Sequence, residues 1–149
     1  MAEQEIKLVK VVIDDQEYHL PAGMNLVDAA KSYAGNDIPV FCYHPKMEPV
    51  GMCRMCVVEL GMEMRSRETG EVELDDAGQP KVRWFPKLQT ACTQAVSDGM
   101  YVRTNSEQVD QSRENVLEFL LTSHPLDCPI CDKGGECPLQ NLTLEHGPG

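Results

Sequence analysis

This sequence predicts an α+β fold: a sheet-and-helix core over the first two-thirds of its 149 residues, with a small helix-and-loop appendage behind it. Three observations carry that prediction. β-Branched runs near the start alternate with turn signals and a single helix-capable stretch. A longer helical periodicity begins after residue 105. All seven cysteines, together with one histidine, divide into two groups of four, one on each side of that point.

Residues 6–13 (IKLVKVVI) are rich in β-branched side chains and Asp14-Asp15 is a turn signal. Glu17 to Leu20 returns as a partner strand until Pro21-Ala22-Gly23 breaks it, so the chain starts with a hairpin. Asn25 then caps a helix carrying Leu26, Val27, Ala29, Ala30 and Tyr33, with Asp28 at the positive end of its dipole and Gly35-Asn36 as the stop. From Ile38 to Cys56, Pro39, Pro45, Pro49 and Gly51 prevent regular structure, leaving a loop shaped by whatever its cysteines hold. Val57 to Leu60 is a short strand leaving that loop. Residues of about 61–87 are charged, with turn signals at Thr69-Gly70 and Asp75-Asp76-Ala77-Gly78, and read as a protruding hairpin insertion. Trp84 and Phe85 re-enter apolar territory, Cys92 follows, and Met100 to Arg103 closes the sheet. Ser106 caps a helix with Val109, Val116, Leu117 and Leu120 on one face, which ends at Ser123-His124-Pro125. Pro125 forces His124 out of helical geometry, so the imidazole sits at the helix exit. The remaining residues, to 149, hold too many Pro and Gly residues to build a core, and this segment depends on what it binds.

The formal charge of −11 and pI of about 4.7 argue against nucleic acid and anionic bilayers, both of which select basic surfaces, and favour basic protein partners. No apolar run approaches the ~18 residues of a membrane span, and the first ten residues lack a signal-peptide pattern, so a cytoplasmic protein is expected. An odd cysteine count without an export signal fits reduced thiolates on metal better than disulfides.

The first group, Cys42, Cys53, Cys56 and Cys92, has gaps of ten, two and thirty-five residues. Four thiolates on one loop and a distant return suit a two-iron, two-sulfide cluster with two thiolates on each iron. Four-thiolate zinc is the rival, but zinc sites usually carry two Cys-x2-Cys pairs and only one is present. The second group, His124, Cys128, Cys131 and Cys137, has gaps of three, two and five, and offers four corners for a four-iron cubane. A three-iron cluster or a Cys3His zinc site competes. His19, His44 and His146 read as neighbours or solvated side chains. No G-x-G-x-x-G fingerprint is present, so NADH and flavin are not expected to bind here, and no side chain is cast as a catalytic acid, base or nucleophile.

"IPVFCYHPKMEPVGMCRMCVVEL" resembles the two-iron loop, and "HPLDCPICDKGGECPLQNLTLEHG" the histidine-containing four-iron motif, of the N-terminal part of the large iron–sulfur subunit of NADH–quinone oxidoreductase, the 75-kDa subunit family of respiratory complex I. The resemblance implies a β-grasp, 2Fe-2S ferredoxin-like domain over about 1–104 and a small helical 4Fe-4S domain over 105–149. It implies electron relay from a flavin- and NADH-binding partner subunit toward quinone, within a peripheral arm on the inner face of the cell membrane. The Cys56–Cys92 gap is longer than in many members, and members continue into further domains. The same motifs occur in electron-transfer subunits of soluble NAD-linked hydrogenases and formate dehydrogenases. A zinc-stabilised interaction module is the alternative of another class.

Overall fold

The computed structural model describes residues 7–67 and 69–148; Ile6, the first residue of the expected opening strand, lies outside them. The opening hairpin consists of β1 (Leu8–Ile13) and β2 (Gln16–Pro21), antiparallel with Val11 opposite Tyr18. In β1 the alternation turns Val9, Val11 and Ile13 inward. Asp14 and Asp15 both have positive φ, 48° and 65°, which suits a tight two-residue hairpin turn.

Asp14 does more than turn the chain. Its carboxylate accepts hydrogen bonds from the Thr104 N–H (2.7 Å), the Thr104 hydroxyl (2.6 Å) and Asn36 Nδ2 (2.9 Å). The first hairpin is thereby fastened to the residue after the last strand and to the helix exit.

Asn25 caps α1 (Leu26–Ala29), its side chain accepting from the Val27 N–H. The helix then widens into a π-helical segment, Ala30–Ala34, rather than continuing as a regular α-helix, and Gly35 ends it in the left-handed region. Further on come β3 (Val57–Glu63), β4 (Val82–Trp84), β5 (Gln89–Thr90) and β6 (Met100–Arg103). The strand order is β2-β1-β6-β3-β4, with β5 pairing the start of β3. β6 lies parallel to β1 and antiparallel to β3, so its four residues sit at the centre. This mixed sheet around α1 is the β-grasp arrangement. Val11, Leu20, Leu26, Ile38, Val58 and Val102, each at most 2 % exposed, meet in its core.

β3 is longer than the sequence suggested. It runs three residues past Leu60, pairing Gly61–Glu63 with β4, and the insertion then continues as bridged turns, Arg65 with Val72 and Leu74 with Pro80.

α2 (Glu107–Thr122) is capped by Ser106, whose hydroxyl also donates to Glu59 on β3 at 2.8 Å. The face turned to the sheet carries Val109, Arg113 and Leu117, while Leu120 is 39 % exposed. The apolar stripe read from the sequence is therefore rotated, and an arginine stands in its middle. α3 (Pro138–His146), which the Pro and Gly content obscured, packs on α2 without burying a residue of its own. Among the described residues no helix is long and apolar enough to cross a membrane.

Candidate metal centres

The first thiol group is built by stitching a distant segment, residues 94–96, to the exit of β2. Leu26 N–H donates to the Gln94 carbonyl, Val96 N–H to Met24 and Gly23 N–H to Val96, at 2.8–3.0 Å. Cys92 sits in a 3-10 turn, Ala91–Thr93, directly after β5. Asn25 Nδ2 donates to the Cys92 carbonyl at 2.7 Å, so the residue that caps α1 also positions the fourth thiol. Ala91 N–H in turn donates to the Cys56 carbonyl at 3.0 Å. Cys56 and Cys92 are buried, Cys42 and Cys53 half-buried, and all four are free thiols.

The loop bearing Cys42 is tied down by its neighbour. Tyr43 donates to Asp28 on α1 at 2.6 Å, and burial together with that carboxylate pushes the phenol up to about 12. Gly51 and Arg54 both have positive φ, 63° and 61°, and this double curl turns backbone N–H groups toward sulfur.

The thiols act on one another: Cys53 hydrogen-bonds with Cys42 and Cys56 with Cys92, and Cys42 also bears on Cys92. Burial pushes the Cys42 thiol up, but the Cys53 and Met52 N–H groups and the Cys53 side chain outweigh it and hold the group below its ordinary value. Cys92 is pushed up to about 12 by burial first, then by Cys56 and Cys42, with the Gly51 N–H opposing. Inward N–H groups favour negative sulfur while burial and the crowding of thiols oppose it, and a cationic inorganic core would relieve that crowding. The N–H groups that bond the sulfurs include those of Gly51, Met52 and Cys53.

The second group surrounds a cavity of about 510 Å³, walled mostly by carbon, which His124, Cys128, Cys131 and Cys137 all line. His124 follows the end of α2, its N–H donating to the Leu121 carbonyl at 3.1 Å. Cys137 is the N-cap of α3 with Pro138 behind it, so the positive end of that dipole faces the cavity. Cys128 and Cys131 bracket a 3-10 turn. Gly134 closes the loop: a Cβ there would lie 3.0 Å from the Cys128 carbonyl oxygen and 3.1 Å from that of Cys131. Leu144, 88 % exposed, lines the cavity, and Leu126 and Ile130, 95 % and 82 % exposed, each adjoin in sequence a residue that does.

One zinc ion draws its donors to about 2.0–2.3 Å from a single point. Among the described residues, no group of three His, Cys, Asp or Glu side chains is close enough to hold one ion. Four mutually interacting thiols and a cavity of this size lined by the other four donors suit multi-atom clusters.

Known proteins agree. A family model described as a 2Fe-2S iron-sulfur cluster binding domain matches residues 7–107, and one described as the NADH-ubiquinone oxidoreductase-G iron-sulfur binding region matches 113–149. NADH-quinone oxidoreductase subunit 3 of Thermus thermophilus is 42 % identical over 94 % of this chain and 18 % of its own length. The mitochondrial NADH-ubiquinone oxidoreductase 78 kDa subunit of Candida albicans is 39 % identical over 93 % of this chain and 16 % of its own. The chain thus spans less than a fifth of these relatives. A crystal structure of NAD+-reducing [NiFe]-hydrogenase in the H2-reduced state superposes with a TM-score of 0.70 at 29 % identity, covering 93 % of this chain and 48 % of that one.

Proposed function

We propose, from the premise that the chain belongs to the 2Fe-2S cluster binding family in the form carried by the large iron–sulfur subunit of NADH-quinone oxidoreductase, that it relays single electrons between a flavin- and NADH-binding partner subunit and quinone. The family carries one 2Fe-2S and one 4Fe-4S cluster, and such clusters supply one-electron redox chemistry when bound. We assign Cys42, Cys53, Cys56 and Cys92 as the thiolates that would hold the two-iron centre. His124, Cys128, Cys131 and Cys137 hold the four-iron centre. The ferredoxin-type domain covers 1–104 and the second domain 105–149.

The observation that carries this reading is the convergence of eight donors, with no cysteine left over, into one group of interacting thiols and one cavity. The protein's own residues position and insulate. Asn25 and Ala91 fix the backbone at Cys92 and Cys56, Tyr43 pins the Cys42 loop, and the Gly51, Met52 and Cys53 N–H groups bond the sulfurs. No side chain moves a proton. The exposed side chains of Leu126, Ile130 and Leu144 in the second domain support docking on other peripheral-arm subunits, which would place the protein at the inner face of the membrane without inserting it.

Low-temperature EPR of the anaerobically reconstituted chain tests this. Reduction is expected to produce separate two-iron and four-iron signals, and His124→Ala to alter only the latter. A colourless, EPR-silent protein carrying stoichiometric zinc would sink the proposal. The hydrogenase likeness favours a second reading, the electron-transfer subunit of a NAD-linked hydrogenase or formate dehydrogenase. Reduction of the clusters by H2 or formate in the native complex, without quinone reductase activity, would select it.

A further inference from the structure

α2 places Val109, Arg113 and Leu117 four residues apart on one stripe, and all three are buried. The stripe calls for an apolar side chain at its centre. It holds a guanidinium instead, only 5 % exposed. Arg113 Nη2 donates to the Val57 carbonyl at 3.2 Å, and Nε is buried without a hydrogen-bond partner. Val57 is the residue immediately after Cys56, itself 1 % exposed.

A buried cation held by one neutral carbonyl is poorly compensated. Burial lowers the Arg113 pKa, and the opposing charges are Asp110 first, then the Cys56 sulfur, Asp14 and Glu145. Among these, Cys56 alone becomes part of a larger anion, since a two-iron core bound by four thiolates is net negative and gains one more negative charge on reduction.

We propose that Arg113 is a positioning residue for the two-iron cluster, its guanidinium docked by the second domain's helix against the backbone leaving Cys56, where its charge favours the reduced state. The inference rests on the two-iron reading of the first thiol group. One electron passes from reductant to cluster; Arg113 forms no bond and transfers no proton. The α2 helix thus sets the electron affinity of a centre whose thiols all lie in the preceding domain.

The test is an EPR-monitored redox titration, with dithionite as reductant, of the full chain carrying both clusters. Arg113→Met and Arg113→Gln are expected to shift the two-iron equilibrium toward the oxidised form at least tenfold, about 59 mV for one electron. Arg113→Lys is expected to restore most of the shift, and the four-iron midpoint to stay in place. Unchanged two-iron midpoints in the Met and Gln variants, a Lys variant displaced as far as Met, or equal shifts of both clusters would each overturn the proposal. Should the neutral variants fail to retain the two-iron signal, melting of the cluster-free chains decides. A cluster-free Arg113→Met chain at least as stable as cluster-free wild type supports a charge kept for the cluster, and one that melts lower shows a structural role only. A wild-type chain lacking any two-iron signal overturns the cluster assignment, and this inference with it.

Discussion

Replacing Gly51 by alanine probes how tightly the backbone is wrapped around the first thiol group. Gly51 has φ of +63°, a region that costs an L-residue about 1–2 kcal/mol. The new Cβ would stand 2.9 Å from Thr93 Cγ2 and 3.4 Å from Thr90 Oγ1, an overlap of about 1 kcal/mol if the loop holds its course. Thr93 cannot easily turn away, because its hydroxyl lies 2.6 Å from that of Thr90 and donates to the Thr90 carbonyl at 3.0 Å. The sum, about 2–3 kcal/mol, corresponds to a fall in Tm of about 4–12 °C for a chain of this size. Because the Gly51 N–H bonds the Cys92 sulfur, any relaxation of the loop also weakens that donation, and the two-iron midpoint moves to lower potential. Thermal melting and EPR-monitored titration read the two effects separately. Adding Thr93→Ser removes Cγ2 but keeps the hydroxyl, so the double variant recovers the overlap and retains the conformational cost. A Gly51→Ala chain melting within about 1 °C of wild type, with an unchanged two-iron signal, would refute this account. Full recovery by Thr93→Ser would refute the backbone part alone.

Two other outcomes follow from the polar contacts. Asp14→Ala leaves the buried Thr104 N–H without its acceptor and removes two further hydrogen bonds, a loss of about 2–4 kcal/mol in urea unfolding. Asp14→Asn keeps one acceptor oxygen and tolerates the positive φ, so equal midpoints for the two variants would contradict the latch. In the cluster-free protein, iodoacetamide at mildly alkaline pH is expected to label Cys42 first and Cys92 last, read by mass spectrometry. The Cys92 thiol lies above its unfolded value of 9.0, so the stability it lends is present below that pH and lost as pH rises toward about 12. Labelling of Cys92 ahead of Cys42 would contradict the pairing.

The sequence alone determined the opening hairpin, the Asn25 and Ser106 caps and the position of His124 before Pro125, and it marked the eight side chains we propose as donors. Each is local: a turn residue, a cap or a spacing acts on atoms a few bonds away. Even the insertion was legible, because its turn signals lie within it, although the extension of β3 to Glu63 was not, since pairing with β4 decides where that strand ends. Tertiary structure decided what depends on contacts between residues far apart in the chain. Burial next to β3 and α3 rotated the face of α2, exposing Leu120 and setting Arg113 beside the residue after Cys56. The pairing of Cys56 with Cys92 across thirty-five intervening residues needed Asn25 and the segment around Met24 to hold the distant turn in place. The kinds of side chain able to bind a metal are a matter of chemistry and are written along the chain. Which charge faces which sulfur depends on packing, and only the folded protein fixes it.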